Sequence, residues 1–264
     1  MKLEHDNNSQ GYPAFNWAAA TDKGRQRDEN EDAFFVEEEI GLFLISDGMG
    51  GHRGGALASK IVAEDMPVAI ETSLDKFKNE STRAVLQMFG KVIIGQSYHL
   101  WMEGESESGY KDMGATVAVA MVRFGRAYIA SLGDSRVYLL RAEKIKQITK
   151  DHSVINELIE EGRIEPEEAA DHEATGQLTH YVGMDDKAEP FVKSFAIEKG
   201  DKLLLCTDGL TDMLDDETIG QLLQNGQNCL EICKELVSKA NKAGGHDNIT
   251  VVVVEYKRKA KTNN

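Results

Sequence analysis

Two stretches of the chain end an apolar run in the same way. Phe43-Leu44-Ile45-Ser46-Asp47-Gly48 leads into Met49-Gly50-Gly51, and Leu203-Leu204-Leu205-Cys206-Thr207-Asp208-Gly209 repeats the pattern later. One Asp-Gly pair is an ordinary turn signal, because Gly accepts positive φ and Asp closes loops with its own side chain. Three further acidic turns change the reading. Gly133-Asp134-Ser135-Arg136 separates two apolar runs, Gly245-His246-Asp247-Asn248 precedes Ile249–Val254, and Asn30-Glu31-Asp32 opens Phe34-Phe35-Val36. Carboxylates at strand ends can gather at one edge of stacked sheets, where their repulsion calls for a hard cation. An all-oxygen donor set suits Mg²⁺ or Mn²⁺ rather than zinc or copper. Gly48 adds a backbone carbonyl that an ion can approach without a side chain in the way. Arg25 and Arg27 stand just before the Glu31-Asp32 pair, and a guanidinium beside such a site is suited to bidentate phosphate capture.

The elements that must position these residues are short and β-rich. Strand signals fall at about 15–21, 32–37, 42–46, 115–123, 126–132, 136–141, 144–148, 190–197, 202–207 and 249–255. Phe124-Gly125 and Ala142-Glu143 have the length of hairpin turns, so the strands they join should be antiparallel. Helical periodicity appears at roughly 54–71, 80–102, 152–161, 165–171, 215–224 and 228–242. Strands, two consecutive helices, more strands and late helices describe α+β layers rather than alternating βαβ units.

Composition narrows the setting. The 264 residues can bury roughly three quarters of the unfolded surface. A formal charge of -15 disfavours nucleic acid and anionic membranes as partners and favours a divalent cation. No run reaches the ~18 apolar residues of a membrane span, and Met1–Asn8 lacks the apolar core of a signal peptide. Cys206, Cys229 and Cys233 lack the closed four-ligand spacing of structural zinc and read as free thiols of a reducing, cytoplasmic setting. Residues 1–13 read as a flexible tail and 257–264 as a basic, solvated one, with a single domain over 14–256.

Taken in order, these segments resemble the metal-dependent Ser/Thr protein phosphatases, the PPM or protein phosphatase 2C family, and its compact bacterial members in particular. The blocks are Thr21-Asp22 through Arg27 to Asn30-Glu31-Asp32, Ser46–His52, Met113-Gly114-Ala115-Thr116, Gly133–Arg136, Thr149–Ser153, Thr207–Asp212 and His246–Thr250. The resemblance implies a four-layer αββα sandwich, with two antiparallel sheets flanked by helices and a flap at about 149–190. It implies two or three Mn²⁺ or Mg²⁺ ions. Asp47, Asp208 and Asp247 match ligands of the first, and Asp47 bridges to the second beside the Gly48 carbonyl. Asp32 and Glu31 match outer groups that hold metal-bound water. Asp134 and Asp208 match a third site, with Asp212 as a contributor. Arg27 matches the phosphate-binding arginine, and Asn248 and Thr116 look like supports behind the ligands, although Thr116 also fits a plain strand position.

The activity this implies is hydrolysis of phosphoserine and phosphothreonine on proteins, opposing a cognate Ser/Thr kinase. A metal-bridging hydroxide would attack phosphorus in line, without a covalent phosphoenzyme, and the enzyme would act as a monomer. Two positions depart from the pattern. Met49 stands where eukaryotic relatives carry a histidine suspected of protonating the leaving group, and His52 is the next histidine along. His180 stands where many relatives carry Arg. The acidic run of the flap, through Glu157, Glu160, Glu161, Glu165, Glu167 and Glu168, either favours basic phosphopeptides by its field or is a solvated helix face. Two other readings use the same residues: a docking module that keeps the fold without catalysis, and a two-metal hydrolase of small phosphoesters.

Overall fold

The computed structural model describes residues 1–5, 15–50, 54–76, 81–106, 110–185 and 188–257. In chain order the strands are β1 Lys2–His5, β2 Phe15–Asp22, β3 Asp32–Glu37, β4 Leu42–Met49, β5 Gly114–Ala115, β6 Val117–Arg123, β7 Arg126–Leu132, β8 Arg136–Arg141, β9 Lys144–Gln147, β10 Phe191–Ala196, β11 Lys202–Cys206 and β12 Ile249–Tyr256. The helices are α1 Gly54–Lys76, α2 Thr82–Ser106, α3 Val154–Glu160, α4 Asp208–Thr211, α5 Asp216–Asn225 and α6 Cys229–Ala243, and Pro166–Asp171 forms a 3-10 helix.

The strands form two antiparallel sheets, in the orders β1-β2-β12-β11-β8-β9 and β10-β7-β6-β4-β3, with short β5 paired to β4. The period of two in each strand builds three cores at once. Along β4, Leu42 and Leu44 face the layer beneath α1 and α2, while Phe43 and Ile45 face the opposite sheet. Along β12, Ile249, Val251 and Val253 pack with α6 residues such as Leu236 and Ala240, while Val252 and Val254 fill the space between sheets. Strands covered on both faces read as unbroken apolar runs, which is why these segments show no polar alternation. The result is an α+β fold, as the order of elements suggested, and the four-layer sandwich that the resemblance implied.

Both expected hairpins are present. Phe124 and Gly125 have φ of 52° and 73°, and Ala142 and Glu143 have 47° and 65°, so each turn has two left-handed central residues that match the twist of its strands. One expectation fails at the N-terminus. Lys2–His5 is an edge strand paired with Ala18–Thr21 rather than loose chain, because β2 offers it a free row of backbone groups. Residues 6–13 and 258–264, the rest of the two expected tails, lie outside the described residues. No described helix is long and apolar enough to cross a membrane.

Candidate active site

The acidic residues gather at one end of the sandwich from five different elements. Asp47 lies near the end of β4, and Asp32 opens β3 directly opposite it in the ladder. Asp134 sits in the β7–β8 turn, beside Gly133 at φ 107°. Asp208 begins α4 just after β11, and Asp247 lies in the turn before β12. Together with Arg27, Glu31, Gly48, Thr116, Asp212 and Asn248, four of these five line a cleft of about 670 Å³; Asp32 stands behind the wall, where its Oδ2 accepts from Thr207 Oγ1 at 3.0 Å. Every site residue expected from the sequence is therefore at this end of the sandwich.

Packing so many carboxyls into a low-dielectric wall is costly. Burial, followed by the charges of Asp208 and Asp247, pushes Asp32 up to about 7. Burial, then Asp212 and Asp247, lifts Asp208 to about 6. Asp47 and Asp134 are raised well above the carboxylate range, first by burial and then by neighbouring aspartates. Asp32 Oδ1 and Asp208 Oδ1 are buried without a hydrogen-bond partner. Such orphaned acceptors are rare in folded proteins and need an explanation. Among the described residues no three acidic, His or Cys side chains close on a single point, yet Asp32, Asp47, Asp134 and Asp208 stand near enough to raise one another. An all-oxygen wall with unpartnered carboxylate oxygens fits a hard divalent cation.

Arg27 projects from the loop between β2 and β3, its Nη2 2.6 Å from Asp247 Oδ2 and its side chain half exposed at the cleft. That loop is clamped by Asn248, which is buried. Its Oδ1 accepts from the Glu31 amide at 2.7 Å, and its Nδ2 donates to the Lys23 and Glu29 carbonyls at 3.0 and 2.9 Å. A second brace runs through Thr116. Its Oγ1 accepts from the Asp47 amide at 3.1 Å and lies 2.7 Å from Ser135 Oγ, so one buried hydroxyl joins the strand that carries Asp47 to the turn that carries Asp134.

Gly48 is required for a reason the sequence did not suggest. A Cβ there would lie 2.0 Å from the Gly55 carbonyl oxygen, so the first turn of α1 sits against β4 with no room for a side chain. The Gly48 carbonyl and Glu31 Oε2 also lie together, 2.8 and 2.9 Å from the point a Gly55 Cβ would occupy.

Other cleft residues were not singled out from the sequence. Thr175, Gly176 and Leu178 come from the returning limb of the 149–190 segment, and Gln26, Asp28 and Glu29 flank Arg27. Only the neighbours of Arg27 could have been guessed, by adjacency. Among the described residues no glutamate of the segment expected as a flap lines the cleft, and Glu160 is 2.6 Å from Lys150. Met49 lines the cleft, and among the described residues no histidine does; His52 lies outside the described residues.

The model of the family described as protein phosphatase 2C matches residues 21–247, the span that carries every one of these side chains except Asn248. The chain belongs to the protein phosphatase 2C family. It is thereby a protein-serine/threonine phosphatase, in line with its relatives. It is 35% identical over 240 residues to the protein phosphatase PhpP of Streptococcus pneumoniae, covering 89% of this chain and 94% of that one. Its fold overlays the Mycobacterium tuberculosis serine/threonine phosphatase PstP/Ppp with a TM-score of 0.82, at 32% identity over 92% of this chain and 99% of that one. A second protein phosphatase 2C neighbour, the catalytic domain of PstP in complex with two manganese ions, has a TM-score of 0.79 at 33% identity, again over 92% and 99%.

Proposed function

We propose that this cleft hydrolyses phosphoserine and phosphothreonine on proteins with the help of two or three divalent ions, Mn²⁺ or Mg²⁺. The observation that carries the reading is the pair of buried, unpartnered carboxylate oxygens on Asp32 and Asp208, in a wall of aspartates facing Arg27. Asp47, Asp208 and Asp247 would hold the ions with the Gly48 carbonyl, Asp32 and Glu31 would orient their waters, and Asp134, Asp208 and Asp212 would serve a further ion. Bound there, such ions would supply an activated water as nucleophile and offset charge on the phosphoryl oxygens.

The chain's own residues do the rest. Arg27, pre-set by the Asn248 clamp, binds and orients the phosphoryl group and stabilises the charge that spreads over its oxygens during in-line displacement. Attack by water needs no covalent phosphoenzyme. In keeping with that, burial lifts the thiols of Cys206 and Cys229 to about 12 and about 11 and raises Cys233 as well, so none is an available thiolate. The substrates would be phosphoproteins made by a cognate Ser/Thr kinase in the cytoplasm, where free thiols persist, and the enzyme would act as a monomer.

The test is phosphate release from a phosphothreonine peptide by EDTA-stripped protein, before and after Mn²⁺ addition, with intact-mass analysis of protein quenched during turnover. The reading expects release only with Mn²⁺ and no phosphoryl adduct. An adduct that forms and decays at the turnover rate would refute the direct-attack step.

A further inference from the structure

The segment between β9 and β10 reaches the cleft through a narrow stem. The Val154 amide donates to the Gln177 carbonyl and the Thr179 amide to the His152 carbonyl, both at 2.9 Å, so residues 154–177 form a closed excursion from a paired base. Thr175 and Gly176, at the returning end of that excursion, line the cleft. Asp151, just before the stem, is held at three atoms. Arg136 Nε and Nη2 donate to its Oδ2 at 2.9 and 2.7 Å, Gln147 Nε2 donates to its Oδ1 at 2.7 Å, and Asn156 Nδ2 donates to its carbonyl at 3.0 Å.

Arg136 also looks the other way. Its Nη1 donates to the buried Tyr138 hydroxyl at 2.9 Å, which in turn donates to Asp216 Oδ1 at 2.8 Å in the first turn of α5. The short connection from α4 to α5 begins at Asp212, which lines the cleft. Burial raises the Asp212 carboxyl above its ordinary value, and the Arg136 guanidinium is the leading influence that opposes the rise. One guanidinium thus sits between the flap stem, the floor of the sandwich and the acidic wall.

We propose that Arg136 is a positioning residue with two tasks: it ties the flap stem to the catalytic floor, and its pairing with Asp151 keeps its charge from competing with cations for the acidic wall. The second task rests on the ion-binding reading above; the first does not. The pairing is directional, since the planar fork spends two donors on one carboxylate oxygen and its third on Tyr138. Loss of Asp151 would leave a half-buried cation without its direct carboxylate partner and free to act on the wall. Loss of Arg136 would cut the same tether and remove the competing cation.

Two substitutions therefore separate the tasks. Asp151→Asn and Arg136→Gln should both speed hydrogen exchange of backbone amides in 154–177, at least tenfold, in metal-free protein. Calorimetric Mn²⁺ affinity should move in opposite directions, weakening roughly three- to tenfold in Asp151→Asn and holding or tightening in Arg136→Gln. That is the scale of one unit charge acting on a divalent ion about 10 Å away across a solvated cleft, at an effective dielectric of about 50–80. General destabilisation would weaken both. If Arg136→Gln does not fold, Arg136→Lys keeps the charge without the fork, and exchange should rise while Mn²⁺ affinity falls. Unchanged exchange in 154–177, or Mn²⁺ affinity that weakens or stays equal in both primary variants, overturns the proposal. Absence of Mn²⁺ binding by the unaltered protein would instead sink the ion-site reading itself.

Discussion

Asp208→Asn should make the metal-free protein more stable while it disables the enzyme. In the folded chain the Asp208 carboxyl is raised from 3.8 to about 6, chiefly by burial and then by Asp212 and Asp247. Each unit corresponds to about 1.4 kcal/mol, so at neutral pH the ionised group costs up to about 3 kcal/mol. Coupling to neighbouring carboxyls shares that cost, and asparagine still has to be buried, which leaves an expected gain of about 1–3 kcal/mol. For a chain of this size the thermal midpoint should rise roughly 3–8 °C. The sign follows from proton linkage. The folded-state value lies above the unfolded one, so the folded wild type holds extra protons between about pH 4 and 6 and loses stability as pH rises through that window. The loss continues to about 7 through Asp32. Thermal unfolding in EDTA at pH 4.5 and pH 7.5 measures this directly: the variant should lead at pH 7.5 and the gap should shrink to roughly a third at pH 4.5. With saturating Mn²⁺ the order should reverse, because only the wild type gains fully from binding. A variant that is less stable than wild type at pH 7.5 in EDTA, or a gap independent of pH, would refute the argument that the wall is electrostatically strained.

Arg27→Ala should lower kcat/KM for a phosphopeptide about 10²- to 10³-fold, while calorimetric Mn²⁺ affinity holds or improves, since the lost cation lies 2.6 Å from Asp247; a fall under tenfold contradicts its role on the phosphoryl group. Asn248→Ala removes three hydrogen bonds, at about 0.5–1.5 kcal/mol each, so the thermal midpoint should drop roughly 5–12 °C and phosphopeptide turnover should fall with it. Thr116→Val keeps the shape but strips the hydroxyl shared by the Asp47 amide and Ser135. Urea unfolding should report a loss of about 1–3 kcal/mol, and a change below about 0.5 kcal/mol would show that the brace carries nothing.

The central strands β4, β6, β7, β11 and β12 were legible because each is buried on both faces along most of its length and is bounded by a Gly or Asp turn. β11, read at 202–207, is Lys202–Cys206, and β12, read at 249–255, is Ile249–Tyr256. Helix ends were less legible, since fraying and capping are decided by contacts: α1 runs on to Lys76, five residues past the periodic stretch. β1 was missed because Lys-Leu-Glu-His has no strand pattern of its own and is made a strand by β2. The aspartates of the site were readable as acidic turns at strand ends, but their gathering at one cleft depends on sheet order, which only the resemblance supplied. The approach of Leu178 and Thr175 to that cleft was invisible, being set by a stem paired across more than twenty residues. Gly48 was read only for its open carbonyl; that its missing side chain also lets the Gly55 carbonyl in the first turn of α1 press against β4 was not legible, because that contact is set by how the helix folds back onto the strand.

Aspartates at the strand ends should form an ion site that drives phosphopeptide hydrolysis. Phosphate release from one phosphothreonine peptide, by wild type with Mn²⁺, wild type with EDTA, and Asp208→Asn with Mn²⁺, tests it most directly. Release should be rapid in the first case and lower by roughly a thousandfold or more in the other two. Comparable release in EDTA, or from the variant, would contradict the account.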